Sequence, residues 1–329
     1  MTSRIFSHSA ALLTVLGVLF LAAGPAAAQT CTSTNPSANY GAVDILAGAA
    51  WPTTSSFTVT CTGTAGRTVR VCIEFGAGSN VGGSLTQRSL INQANSAIGL
   101  NHEVYTNPGH TTVWGSSGNS ITAYGTGGTQ LDLVIPAGGS VTSAAQTAYS
   151  QVLAAQQTVV PGTYKWFTGS PGLYYGYTTG AACPTGTNTT FLGANAANWT
   201  ATINSNCIVS PTSLDFSSHG LLSANVDVAG LITLQCTNTT PYVVSLGLGL
   251  GSGVTLPTAR KMTKGAETVT YGLYSDPARA VVWGTGAGQT VSGTGTGIAQ
   301  NINVYGRVPP QTTPSPGVYT DTVVVTVTY

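Results

Sequence analysis

Short runs of β-branched and aromatic residues, bounded by Gly, Pro, Asn and Ser, recur along the chain. FTVTCTG (Phe57 to Gly63), TVRVCIEF (Thr68 to Phe75), LITLQCT (Leu231 to Thr237) and YVVSLGL (Tyr242 to Leu248) each predict a strand. The final segment, TDTVVVTVTY, alternates with period two. Asp321, Val323, Val325, Val327 and Tyr329 fall on one face, and Thr320, Thr322, Val324, Thr326 and Thr328 on the other. A Pro316-Gly317 turn signal precedes it. Many short strands joined by Gly/Pro turns predict an all-β chain of two antiparallel sandwiches.

Composition agrees and removes several functions. Of 329 residues, 42 are Gly and 16 are Pro, and only 6% are charged, against about 25% in an average soluble protein. Ten Lys+Arg against nine Asp+Glu leave a net charge of +1, so the basic surface that nucleic-acid binding requires is missing. The Glu, Lys and Arg that clothe helices are scarce. At 42% hydrophobic residues, charge-driven disorder is excluded as well.

The first 28 residues read as a cleaved signal peptide: Arg4, then an apolar run from Ala11 to Gly24, then Ala26-Ala27-Ala28 before Gln29. The apolar run is short for a membrane anchor, which needs about 20 residues. Export makes six cysteines, at 31, 61, 72, 183, 207 and 236, a disulfide set rather than a zinc set, since no C-x-x-C pair occurs.

An internal repeat sorts the cysteines. YTNPGHTTVWG (Tyr105 to Gly115) returns as YSDPARAVVWG (Tyr274 to Gly284), and PGTY (Pro161 to Tyr164) as PGVY (Pro316 to Tyr319). Tyr40 matches Phe216, and Arg88 matches Arg260. The order is kept in both copies, which predicts two homologous domains, 29–203 and 204–329. The repeat pairs Cys31 with Cys61 and Cys207 with Cys236, each closing a loop worth roughly 3–4 kcal/mol. Cys72 and Cys183 remain and pair with each other.

Candidate chemistry is sparse. His102, Glu103 and His110 lack H-E-x-x-H spacing, and the second copy has no histidine at either position, which favours a solvated strand and loop over a metal or acid–base cluster. The Gly-rich runs 247–253 and 284–297 lack the Lys of a phosphate loop and read as turns. Asp276 reads as a turn residue accepting backbone N–H groups. No G-x-S-x-G occurs. No cofactor and no enzymatic activity are expected. Trp114 and Trp283 read as core, and Arg88 and Arg260 as donors to backbone carbonyls within each sandwich.

Three segments of the first copy read as extra apolar loops. They are VDILAGAAWP, with Ile45, Leu46 and Trp51; TAYSQVLAAQQTVV, with Val152 and Leu153; and SPGLYYGYTTG, with Leu173, Tyr174, Tyr175 and Tyr177. Such loops offer a contact surface for an abiotic or host target.

The Cys-to-Cys opening, Arg260-Lys261-Met262, YGLYSDPARAVVWG and PGVYTDTVVVTVTY resemble the spore coat protein U domain, closely in the second copy and by landmarks in the first. The two-copy arrangement resembles the tip adhesin of archaic (Csu-type) chaperone–usher pili. The resemblance implies immunoglobulin-like sandwiches: an N-terminal adhesin domain, and a C-terminal pilin domain that lacks one strand. An adjacent pilin subunit would supply that strand. It also implies a periplasmic chaperone, an outer-membrane usher, a route through the periplasm to the pilus tip, and a role in attachment and biofilm formation. Val323, Val325, Val327 and Tyr329 are then the strand offered to chaperone and usher. Only Gln29 and Thr30 would precede Cys31, so the chain accepts a strand but donates none from that end. NWTATI (Asn198 to Ile203) is the candidate final strand of the first sandwich. A secreted coat protein that assembles without a pilus is the alternative, and an extracellular hydrolase using His102 or Glu103 the more distant one.

Overall fold

The computed structural model describes residues 29–76, 87–116, 128–166 and 198–329, and the backbone of 173–178 and 193–195. The segment read as a signal peptide and Cys183 lie outside the described residues. Every regular element among the described residues is a strand, and no helix there is long and apolar enough to cross a membrane.

The first sandwich contains β1 (Thr30–Ser33), β2 (Ser37–Ala42), β3 (Trp51–Phe57), β4 (Val59–Thr62), β5 (Thr68–Phe75), β6 (Arg88–Asn92) and β7 (Gly99–Tyr105). It continues with β8 (Thr129–Val134), β9 (Ser140–Thr142), β10 (Gln146–Val152), β11 (Gly162–Lys165), β12 (Leu173–Thr178), β13 (Gly193–Asn195) and β14 (Asn198–Ile203). A seven-stranded sheet, β2-β14-β11-β6-β7-β10-β3, packs on β13-β12-β5-β8, and β1-β4-β9 completes the layers. The second sandwich contains β15 (Cys207–Pro211), β16 (Val226–Cys236), β17 (Pro241–Leu246), β18 (Arg260–Lys264), β19 (Glu267–Tyr274), β20 (Val291–Thr294), β21 (Gln300–Val308) and β22 (Val325–Thr328). Its sheets are β15-β16-β21-β19-β18 and β20-β17-β22. One core ends at Ile203 and the other begins at Cys207.

The repeated residues build the same devices in each copy. Cys31 is bonded to Cys61, and Cys207 to Cys236, both across facing ladder positions. Cys72 is also in a disulfide. Trp114 Nε1 donates to the Ile73 carbonyl and Trp283 Nε1 to the Val244 carbonyl, both at 3.0 Å. Tyr164 OH donates to the Val160 carbonyl and Tyr319 OH to that of Ser315, the tyrosine corner of immunoglobulin-like folds. Asn107 and Asp276 each accept two backbone N–H groups of the following loop. His110 and Arg279 hold the same left-handed position three residues on, with φ 52° and 58°.

Arg88 and Arg260 are both fully buried. Arg88 donates to the carbonyls of Phe75, Gly76 and Trp114 at 2.6–2.8 Å. Arg260 donates to those of Leu246, Gly247 and Trp283 at 2.8–3.2 Å, and to Pro257 at 2.7 Å. In each copy one guanidinium thus ties the end of β5 or β17 to the tryptophan loop by donating to main-chain carbonyls of both.

Two expectations about elements are corrected. Thr147 to Val152 is not an extra loop: it lies in β10, paired to β3 and β7, and is the counterpart of β21. Ala148, Ser150 and Val152 point inward there, and a buried serine hid the alternation. Likewise, 320–329 is not one continuous ladder. Thr320 forms an isolated bridge to Thr263, and only Val325–Thr328 pairs with β17, because Asp321 turns aside to accept from Tyr271 OH and the Leu250 N–H.

Replacing Arg260 by Lys leaves carbonyls in the second sandwich without donors, since an ammonium cannot reproduce the planar fork. A loss of about 2–4 kcal/mol is expected in that sandwich. Urea unfolding followed through Trp283, with the first sandwich as internal reference, measures it.

Candidate functional site

The two sandwiches differ at one lateral edge. In the first, β11 lies in the seven-stranded sheet and β12 in the facing one, and one edge of each is covered. Lys165 pairs with Thr200 and Gly162 with Ile203, while Leu173 pairs with Asn195. On its other side β14 runs parallel to β2, with Trp199 opposite Ala38. NWTATI therefore does form the closing strand, and Trp199, Ala201 and Ile203 are buried.

The second sandwich has the same neighbours without the strand between them. β22 corresponds to β12: Val325 pairs with Leu246 as Leu173 pairs with Phe75. Residues 213–218 take the place of β2, with Phe216 at the position of Tyr40 and no ladder of their own. Among the described residues, no strand pairs with the outer edge of β22.

The cost appears in the core. Among the described residues, the first core has 25 buried residues with four half-buried hydrophobic neighbours. The second has 13 buried residues and twelve half-buried ones. Leu214 and Phe216, in the segment that takes the place of β2, and Val323, Val325 and Val327, on the last strand, are among these half-buried residues and flank the place that β14 fills in the first copy. At about 25 cal/mol per Å² of apolar surface, an unfilled groove of this kind forgoes several kcal/mol. Val323, Val325 and Val327 face it while Val324 is 61% exposed on the opposite side, and Tyr329 is also exposed.

The residues read as surface loops are distributed otherwise. Ile45, Leu46 and Val152 are buried and cannot meet an outside surface. Val43 and Ile45 belong to the first core, and the turn after them is fastened by Gly48 N–H to the Ile45 carbonyl. Leu153 is half-buried. Trp51 is 36% exposed, begins β3, and donates from Nε1 to the Tyr40 carbonyl. Leu173, Tyr174, Tyr175 and Tyr177 lie in β12, paired to β5 and β13, rather than on a loop tip.

The loops near 45–48 and 153–161 share one end of the first sandwich. Ala155 N–H donates to the Gly48 carbonyl, and Asn238 Nδ2 donates to the Thr158 carbonyl at 2.6 Å, so that end meets the second sandwich. β4 and β8 run to the opposite end, where the turns at 63–67 and 135–139 meet through Gly63 N–H to Gly139 O and Gly66 N–H to Ile135 O. Val134, 60% exposed, lies beside them.

The polar cluster is not solvated. His102 and Glu103 sit in β7 and are buried. Glu103 forms an ion pair with Arg88. His102 packs edge-on against Trp166 at 5.1 Å, with its Nδ1 3.4 Å from Tyr40 OH. Burial, and then the Arg88 charge, hold its pKa well below the ordinary 6.5. No group of three or more His, Cys, Asp or Glu among the described residues is placed to hold a metal ion. Asp276 serves its turn, and the residues 247–253 and 284–297 lie in turns and short strand. The bank formed by Leu214 and Phe216 was missed in the sequence, although SLDF alternates and Phe216 matches Tyr40.

His102 gives the first sandwich a pH dependence. An unfolded histidine takes up a proton below about pH 6.5, whereas the folded one does not, so stability falls as pH drops from there. The expected slope from this residue is about 1.4 kcal/mol per pH unit until the folded pKa is reached. His102→Gln should remove that slope between pH 6.5 and 5. Equal slopes in the two proteins would show that folded His102 charges freely.

Residues 18–165 and 194–326 match the Spore Coat Protein U domain. A curated relative, Protein U of Myxococcus xanthus, is 36% identical over 118 residues, covering 34% of this chain and 65% of its own length. Among solved structures, the CsuC–CsuE chaperone–tip adhesion subunit pre-assembly complex of Acinetobacter baumannii aligns over 91% of this chain and 100% of its own, with a TM-score of 0.53 and 19% identity. That likeness is one of fold. The CupB6 tip adhesin of Pseudomonas aeruginosa covers 90% of this chain and 93% of its own at 10% identity, with a TM-score of 0.35, too low to carry an argument.

Proposed function

The chain belongs to the spore coat protein U domain family, whose subunits are structural rather than enzymatic, and we propose that it is the tip adhesin of a chaperone–usher pilus. In this reading the protein is exported through the periplasm and divided between residues 203 and 204. The first sandwich faces outward and the second accepts a donor strand from the next pilin. The observation that carries it is that, among the described residues, a closing strand is present in one copy and not in the other. Residues 193–195 and 198–203 fill the first groove, while Val323, Val325 and Val327 face an unfilled one. A sandwich complete in itself suits the end of a fibre, and one that needs a strand suits the joint below it.

Before assembly the open edge of β22 needs protection, which a periplasmic chaperone would give by strand addition and the usher would exchange for the pilin. Val325→Asp with Val327→Asp should abolish co-purification with the chaperone and incorporation into fibres. Val324→Asp, on the exposed face, should leave both nearly unchanged. Equal behaviour of the two variants would overturn the strand-acceptor reading.

Adhesion and biofilm formation follow from placement. The contact surface is assigned to the end of the first sandwich away from the junction, where Val134 and the turns at 63–67 and 135–139 lie. Arg67 and the mutually neutralised Arg70–Asp132 pair are the charges there, the other turn residues carry none, and apolar contact with an abiotic or host surface is the simplest mechanism, made strong by many fibres. Val134→Asp with Ala137→Asp should lower attachment to plastic several-fold in cells that display normal numbers of fibres. Unchanged attachment would move the contact elsewhere.

A further inference from the structure

The two grooves are homologous but not alike, and the difference selects the side chain that fills the second. In the first groove, fully buried Trp199 lies opposite Ala38. Its Nε1 donates to Ser150 Oγ at 3.0 Å, and its ring is 5.5 Å from that of Trp166.

The ladders give the equivalent walls in the second copy. Tyr149 pairs with Tyr105 as Tyr305 pairs with Tyr274, so Ser150 corresponds to Gly306. Tyr40 packs on His102 at 6.2 Å as Phe216 packs on Tyr271 at 6.0 Å, so Ala38 corresponds to Leu214. Tyr164 and Tyr319 form the same corner, so Trp166 corresponds to Asp321.

All three walls have changed. Leu214 and Phe216 lean onto Gly306, where a Cβ would meet Leu214 Cδ2 and Phe216 Cζ at 2.8 Å. No hydroxyl stands at 306 to accept an indole N–H, and a buried indole without an acceptor is penalised. Asp321 is engaged by Tyr271 OH and offers no aromatic face.

We propose that Leu214 and Gly306 set the specificity of the second groove, which takes a strand bearing a branched aliphatic side chain, not tryptophan, opposite Leu214. The strand runs antiparallel to β22 and parallel to 213–218, as β14 runs against β11 and beside β2. Two residues on, opposite Tyr319, it carries a small side chain as Ala201 does opposite Tyr164, and two further on an aliphatic one as Ile203 does opposite Gly162. The inference rests on the strand-acceptor reading above.

The test appends a strand to the full chain after Tyr329 through a short turn. One version copies residues 193–203, and the other carries W199I within the appended copy. Calorimetry then reads the second sandwich's transition. The W199I copy should raise it by on the order of 10 °C, and the unaltered copy by clearly less. In an L214A background the preference should narrow or reverse. Equal gains from both copies in the parent chain would overturn the role of Leu214 and Gly306 while leaving the groove an acceptor. No gain from either copy would overturn the acceptor reading itself.

Discussion

Backbone N–H and C=O groups along the outer edge of β22 have no strand partner among the described residues, although the corresponding edge of β11 and β12 is covered along its described length. Main-chain polar groups next to an apolar interior must be paired or wet. Water can reach them only while the groove beside them stays open, and an open groove leaves Leu214, Phe216 and the valines of the last strand half-exposed. One missing ladder therefore couples two penalties, polar and apolar, and a single added strand relieves both. The division of labour between the sandwiches follows from that coupling.

The rest of each sandwich is held by devices that do not depend on the closing strand, which is why the second can exist without it. The buried guanidinium, the tryptophan N–H, the tyrosine corner and the disulfide all lie within residues common to both copies. Apart from the tyrosine corner, which stands beside the groove, they fix loops and ladder ends away from it. The fold can thus lose one strand without losing its frame, and what changes is how well the core is sealed.

The first sandwich has used its sealed interior differently. Glu103 neutralises Arg88 there, whereas Gly272 stands at the matching ladder position, and Arg260 relies on four carbonyls. His102, Trp166 and Trp199 form an edge-on and tilted aromatic cluster, where the second copy has Tyr271 and Asp321. Buried ionisable groups of this kind are tolerable only where water is excluded and partners are fixed. They belong to a core that its own chain has closed.

Much of this was legible in the residues themselves. The strand positions of TVRVCIEF and NWTATI, the Asp276 turn and the inward face of Val323, Val325 and Val327 follow from local patterns, because alternation and turn chemistry act over a few residues, while the pairing of Cys31 with Cys61 and of Cys207 with Cys236 follows from comparing the two copies. What required tertiary structure was which apolar residues remain available. Ile45, Leu46 and Val152 look like loop residues until β10 is seen between β3 and β7, and His102 looks solvated until Trp166 is seen across it. Burial is decided by partners 44 to 101 residues away, and no local pattern carries that information. The sequence by itself determined two like sandwiches; long-range pairing alone decided that one is shut and the other open.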